Sequence, residues 1–266
     1  MRSTLRVGLS LAFLLGVHAL AQAQTESPKP PKEVEWSWQG PFGQYDTEQL
    51  QRGFQVYKEV CSACHSLNLV SFHALSEPGG PHFTEAQMKA IAASYKEPAP
   101  PNDQGEIFDS KGNRLTQPGT PADTFPPPFA NDEAARAANN GSLPPDQSVL
   151  VKAREDGSNY VYSICSGFGE KPPAGFKATA GKFYNPYFDG WNISMPPPIQ
   201  DNSVTYSDGT KATIDQECKD VTAFLTWAAE PTLDERHHLG FEVIGFLLLF
   251  AGLLYLTYRR VWRDAH

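Results

Sequence analysis

The chain has 266 residues, 40% of them hydrophobic and 20% charged, which excludes a disordered tail and a polytopic membrane protein. Thirty acidic against 22 basic residues give a net charge of −8, the wrong sign for gripping a nucleic-acid backbone and a fitting one for an acidic face that attracts a basic protein. Pro (23) and Gly (21) are frequent, so a loop-rich chain of one large or two small domains is expected.

The first 23 residues read as an export signal. Arg2 and Arg6 precede an apolar run from Val7 to Leu20, and Ala21-Gln22-Ala23 supplies the small-x-small cleavage pattern. An uncleaved anchor is the alternative, but the apolar run is short. Residues 24–236 are then the expected exported domain. Residues 24–41 carry Pro28, Pro30 and Pro31 and read as an extended lead-in.

Asp46-Thr47-Glu48-Gln49 resembles a capping box with Asp46 as N-cap. Leu50, Phe54, Tyr57 and Cys61 follow at helical spacing, so one apolar face leads into the first cysteine. A second helix is predicted from Thr84, with Met88, Ile91 and Tyr95 inward, ending before Pro98. The proline-rich stretch 98–130 reads as an ordered surface loop or small subdomain. Ala134–Ala138 is a short helical run. Pro145 suits the first position of a further helix through about Glu155, stopped by Asp156-Gly157. Another helix is predicted over Asn159–Phe168. Residues 169–212 read as loops, with short strands near Val204-Tyr206. Ile214–Ala229 is amphipathic and halts at Pro231. Several short helices and few strands make the fold class mostly α.

Leu239 to Tyr258 is apolar over the length needed to cross a ~30 Å hydrocarbon core. Glu242 sits near one end. Tyr255, Tyr258 and Trp262 form an aromatic belt at the other, and Arg259, Arg260 and Arg263 follow. The positive-inside rule places the tail 259–266 in the cytoplasm and the domain before the span outside. A buried soluble helix would rarely combine that belt with those arginines. Taking Arg2, Arg6, Arg259, Arg260 and Arg263 from the 22 basic residues, and Asp264 from the 30 acidic ones, leaves 17 and 29, a net −12 for the exported part.

Cys61-Ser62-Ala63-Cys64-His65 is a C-x-x-C-H run, the c-type haem attachment pattern. Two thiols about one turn apart can add to the two vinyl groups of one haem, and the next residue can offer an imidazole to the iron. A zinc site wants a second close ligand pair, and a thioredoxin-like redox pair wants a βαβ setting; neither is present in the sequence. With His65 on one axial position, the other usually goes to Met or His. Met1 leaves with the signal, and Met88 reads as core filling. Met195 is favoured, because Pro196-Pro197-Pro198 stiffen the chain just after it. His73 and His82 are the rivals. Imidazole and thioether ligation raises the haem potential and fills both axial sites. That points to outer-sphere electron transfer, with a five-coordinate haem sensor or enzyme as runner-up. Cys165 and Cys218 are expected to pair in an oxidising compartment; two buried free thiols are the alternative.

The chain resembles the cytochrome c1 family, the haem subunit of the cytochrome bc1 complex (ubiquinol:cytochrome c oxidoreductase). The resemblance runs over roughly residues 40 to 262. It rests on Arg52-Gly53-Phe54-Gln55-Val56-Tyr57 before the C-x-x-C-H run, Ala134-Ala135-Arg136-Ala137-Ala138-Asn139-Asn140-Gly141, Leu143-Pro144-Pro145-Asp146, Tyr184-Asn185-Pro186-Tyr187-Phe188, and Phe224-Leu225-Thr226-Trp227-Ala228-Ala229-Glu230-Pro231. It departs at Trp191-Asn192, where smaller residues are expected, and at Cys165 and Cys218.

The resemblance implies thioethers at Cys61 and Cys64, axial ligation by His65 and Met195, and one covalent haem c. Arg154 and Tyr160 match positions that contact a haem propionate, although Arg154 alone would read as a surface residue. Pro145 matches a haem-packing proline. The implied fold is a cytochrome c-type helical core with inserted loops and a C-terminal anchor. The implied role is a one-electron relay from the Rieske iron-sulfur protein to a soluble or tethered cytochrome c, beside cytochrome b in a dimeric complex of a bacterial inner membrane. The chain would be a redox subunit of a reductase and no enzyme alone. A membrane-tethered cytochrome of another oxidase chain, and a zinc-bearing periplasmic binding module, are the competing expectations.

Overall fold

The computed structural model describes residues 27–263. The expected export signal, residues 1–23, therefore lies outside the described residues, as does the end of the tail. Six helices are described: α1 Thr47–Glu59, α2 Glu85–Ala93, α3 Asp132–Ala138, α4 Gly157–Ser166, α5 Ile214–Ala229 and α6 Leu233–Trp262. Short strands form three two-stranded pairs: β1 Leu67–Ser71 with β4 Thr124–Phe125, β2 Lys96–Pro98 with β3 Thr116–Pro118, and β5 Phe183–Tyr184 with β6 Asn192–Ile193, all antiparallel. The mostly α expectation holds.

The helix starts follow local chemistry. Asp46 accepts from the amides of Glu48 (2.9 Å) and Gln49 (3.1 Å) and so caps α1. Thr84 and Gln87 close a full capping box on α2. Thr213 caps α5 by accepting from Gln216. α5 has the bounds predicted for it, and α4 begins two residues before its predicted start.

α1 and α5 cross at the centre. A Cβ on Gly53 would lie 2.0 Å from the Asp220 carbonyl oxygen, so only glycine allows this approach of the two backbones. Phe54 meets Phe224 edge-on at 5.7 Å, and Phe125 from β4 closes the cluster against Tyr57 and Phe72. Trp227 is fully buried one turn further along α5. Arg52, beside Gly53, donates to buried Asp220 (3.1 Å) and to Asp208 (2.9 Å). α4 docks on the other side of α5. The Sγ atoms of Cys165 and Cys218 are bonded there, with Cα atoms 5.7 Å apart. Closing a loop of 53 residues stabilises by about 4 kcal/mol in the chain-entropy account.

From residue 27 the lead-in has neither helix nor strand, and it is no loose tether. Trp36 and Trp38 stack at 4.8 Å and are buried. The Trp36 indole donates to Asn159 Oδ1 (2.8 Å), and the Lys32 amide donates to Ser163 Oγ (2.7 Å), strapping residues 27–38 over α4.

Two predicted elements are corrected, and a third lies within a longer helix. The helix from Pro145 to Glu155 is absent, and the segment runs as turns. Its polar groups are engaged sideways: Asp146 Oδ2 accepts from Ser66 Oγ (2.7 Å) and the Asn68 amide (2.9 Å), and the Gln147 amide donates to the Ser66 carbonyl (2.9 Å). Those bonds compete with a first helical turn. No strand forms at Val204-Tyr206. Val204 and Tyr206 are buried, but the segment is pinned by side chains, with the Val204 amide facing Glu217 Oε1 at 3.4 Å and Gln55 donating to the Thr205 carbonyl at 3.1 Å. The apolar span is part of a longer helix: α6 starts at Leu233, so the domain passes into the span with no break at residue 236.

Glu217 is fully buried, and its Oε2 has no hydrogen-bond partner. Burial pushes its carboxyl above the usual range, against the opposing pull of the Val204 and Ser203 donors. A raised folded value means that stability is complete below the ordinary carboxylate range and is lost as pH rises through the folded value. Glu217→Gln, which has no proton to lose, is therefore expected to gain on the wild type by about 1–3 kcal/mol at pH 7.5, and by much less at pH 4.5. Thermal melts of both proteins at the two pH values measure this, and an equal difference at both would refute it.

Candidate haem site

The C-x-x-C-H run follows directly on α1. A single 3-10 turn spans Cys61–Ala63, and the amides of Cys64 (3.1 Å) and His65 (2.9 Å) both donate to the Cys61 carbonyl. The turn is tied back to α1 by Ser62 Oγ donating to the Lys58 carbonyl at 2.7 Å. Neither cysteine has a disulfide partner. Cys61 packs at the edge of the main core, and burial, with Cys64 adding to it, pushes its thiol up to about 12. Cys64 is exposed.

His65 Nδ1 lies 2.8 Å from the Pro145 carbonyl oxygen. A carbonyl can only accept, so Nδ1 carries the proton and Nε2 keeps its lone pair for a metal. Burial holds the imidazole below its ordinary value, favouring that neutral form, against the pull of Pro145 and Asp146. Asp146 keeps Pro145 in place. Besides Ser66 and Asn68 it accepts from the Ser148 amide (2.8 Å), and Ser148 Oγ accepts from the Leu69 amide (3.0 Å). Burial alone would raise the Asp146 carboxyl, but these donors outweigh it and hold it below the usual range.

Met195 is half-buried on a second, smaller cluster of Ile164, Tyr187 and Ile193. Its loop is fastened to the end of α4: Asn185 Nδ2 donates to the Ile164 carbonyl (2.8 Å), and Asn185 Oδ1 accepts from the Tyr187 amide (3.1 Å). Trp191 adopts a left-handed backbone, φ +58°, held by amide bonding to the Phe188 carbonyl (2.9 Å) and by its indole on the Ser27 carbonyl (3.1 Å). Tyr160 packs against both the main core and the Met195 cluster. Burial pushes its hydroxyl up, and the charge of the nearby Arg154 guanidinium pulls the other way. Arg154 is exposed, and its Nη1 donates to the Ala153 carbonyl at 3.0 Å.

The other candidates for the second iron ligand are Met88, His73 and His82. Met88 is sealed in the core, His73 is exposed and paired with Glu77 at 3.0 Å, and His82 is exposed at a left-handed φ of +52°. Among the described residues no group of three or more His, Cys, Asp or Glu side chains could share a metal ion. The donors present are two free thiols, an imidazole with Nδ1 already engaged and a half-buried thioether. The two thiols and the engaged imidazole, adjacent in the chain, fit a covalently held iron-porphyrin and do not fit a zinc ion.

Sequence reasoning missed Asp146 and Asn185 as positioning residues. For Asp146 the signal was available: Asp two residues before Ser is a common local turn, and the helix reading hid it.

The cytochrome C1 family profile matches residues 36–265. The chain belongs to the cytochrome c1 family. Its relatives include cytochrome b/c1 of Bradyrhizobium diazoefficiens, 46% identical over 96% of the chain. The chain spans only 39% of that protein's length. Cytochrome c1 of Rhodospirillum rubrum is 44% identical, with 97% of each chain covered. A mitochondrial relative from Arabidopsis thaliana, described as a cytochrome c1 haem protein, is 42% identical over 98% of this chain and 81% of its own. The family match brackets the span over which the resemblance was read, and it includes both the C-x-x-C-H turn and the α6 helix.

Proposed function

We propose that the chain is the haem-bearing electron carrier of a cytochrome bc1 complex, taking one electron from the Rieske iron-sulfur protein and handing it to a soluble or tethered cytochrome c. Membership of the cytochrome c1 family makes haem c, covalently bound, the cofactor. The observation that carries the reading is the C-x-x-C-H turn with His65 Nδ1 fixed on the Pro145 carbonyl. When bound, haem supplies a one-electron iron couple.

The residues divide the remaining work. Cys61 and Cys64 would hold the group through thioethers, and His65 and Met195 would ligate its iron. Pro145 orients the imidazole, and Asp146 orients Pro145. Arg154 and Tyr160 offer a cation and a hydroxyl to a propionate, which a half-buried carboxylate requires. With His65 and Met195 both ligating the iron, the bound group would supply electron transfer and not substrate binding, and the chain would leave quinol oxidation to its partners. The acidic balance of the exported part steers a basic acceptor and makes docking brief and salt-sensitive. α6 anchors the domain beside cytochrome b in a dimeric complex. Export with cleavage after Ala23 places the domain in the periplasm of a bacterium and the arginine-rich tail in the cytoplasm.

The test is a pyridine haemochrome spectrum of the purified protein, followed by co-purification. One haem c per chain is expected, together with a di-haem cytochrome b and a Rieske protein. Material without iron refutes the haem reading. Iron-containing material that travels with an oxidase refutes the choice of complex.

A further inference from the structure

The first turns of α6 do not leave the domain at once. The Tyr45 amide donates to Asp234 (3.2 Å), His237 Nδ1 bonds the Gly43 carbonyl (2.9 Å), and the Phe42 ring stacks on Phe241 at 4.8 Å, nearly parallel at 11°. Positions 234, 237 and 241 share one helix face, so the loop 40–45 runs along that face toward the span. The loop is a fixed turn. The Gly43 amide donates to the Gly40 carbonyl (3.2 Å), and a Cβ on Gly43 would collide with the Trp38 backbone at 2.2 Å. Buried Trp38 and Tyr45 hold its base. The turn presents Phe42 at its tip, 79% exposed, against a Phe241 that is itself 44% exposed.

Stacked on exposed Phe241, the Phe42 ring extends a contiguous apolar patch, and such a patch marks an interaction surface. Phe241 lies two residues past the start of the apolar span, about 3 Å along the helix axis, so the stacked Phe42 ring sits at the same level. Exposed Glu242, paired with His238 at 3.3 Å, marks that level as the boundary between headgroups and acyl chains. The apolar surface of Phe42 is thus continuous with the helix face that meets lipid. We propose that the Pro41-Phe42 turn dips into the bilayer interface beside α6, as a second membrane contact that fixes the height and tilt of the domain. This rests on reading α6 as the membrane anchor, and it commits to lipid as the cover.

A nitroxide at position 41 (Pro41→Cys) in the haem-loaded full chain leaves Phe42 in place. The labelled protein is reconstituted in nanodiscs of phosphatidylcholine and phosphatidylglycerol. Collision with oxygen, which concentrates in lipid, is compared with collision with a water-soluble nickel chelate. The ratio at position 41 is expected to stand several-fold above that of a label at Lys111→Cys. Adding Phe42→Asp is expected to bring it down toward the Lys111→Cys value. A ratio at position 41 no different from that of the Lys111→Cys label overturns the proposal. So does shielding from both reagents, which would mean that protein covers the turn. A label at Leu249→Cys separates the two readings: lipid exposure there with a wet position 41 removes only the second contact, whereas water exposure there removes the anchor and the proposal together.

Discussion

Met195→Leu is expected to lower the midpoint potential of the loaded protein by on the order of 0.2 V, a quarter of the span that axial ligands cover. Thioether sulfur stabilises the reduced iron, and leucine offers no donor, so the loss falls on one redox state more than on the other. Packing changes little, because leucine and methionine have similar volume and the side chain is only half-buried among Ile164, Tyr187 and Ile193. The thermal midpoint should therefore move far less than the potential. Met88→Leu is the matched control. That side chain is sealed in the core, so the substitution is expected to touch stability there while the potential stays put. An optical redox titration of the three proteins decides the matter. An unchanged potential in Met195→Leu would assign the sixth position to another residue.

The second large effect is expected in the fold. Arg52→Met should destabilise by about 3 to 5 kcal/mol, because it leaves Asp220 buried without its cation. For a chain of this size that corresponds to a fall of about 6 to 20 °C in the thermal midpoint. Asp220 has no exposed side-chain surface, whereas Asp208, the other partner of Arg52, lies at the surface. Burial already pushes the Asp220 carboxyl up and Arg52 pulls it back, so removing the guanidinium drives it toward the protonated form. Combining Arg52→Met with Asp220→Asn removes the stranded charge, and the double variant should recover a large part of the loss. A single-variant loss below about 1 kcal/mol would class the pair with ordinary surface ion pairs.

The elements most legible in the sequence were those whose instructions are local. Asp46, Thr84 and Thr213 cap helices through bonds to amides two or three residues away, and a linear reading can see them. The C-x-x-C-H turn is equally local. What escaped depended on distant partners. Pro145 looks like a helix start until Asp146 is seen bonding Ser66 and Asn68, some 80 residues earlier. Val204 and Tyr206 alternate like a strand, but they face side chains from α1 and α5 and have no second strand to pair with. The lead-in was read from its prolines, and the burial of Trp36 and Trp38 requires α4 to be present. At the candidate site Cys61, Cys64, His65 and Met195 are nominated by local sequence features. Their supports, Asp146 and Asn185, are not, because each acts through backbone groups of another element.

The passage from Leu233 into α6 without an intervening joint gives the molecule a stiff mast. Thirty helical residues measure about 45 Å, and the first turns are clamped to the loop that Trp38 and Tyr45 support. A bilayer thinner than the span tilts such a helix through hydrophobic mismatch, and the whole head must lean with it. Membrane thickness thereby becomes a mechanical input to how the electron-carrying end is aimed at whatever it meets.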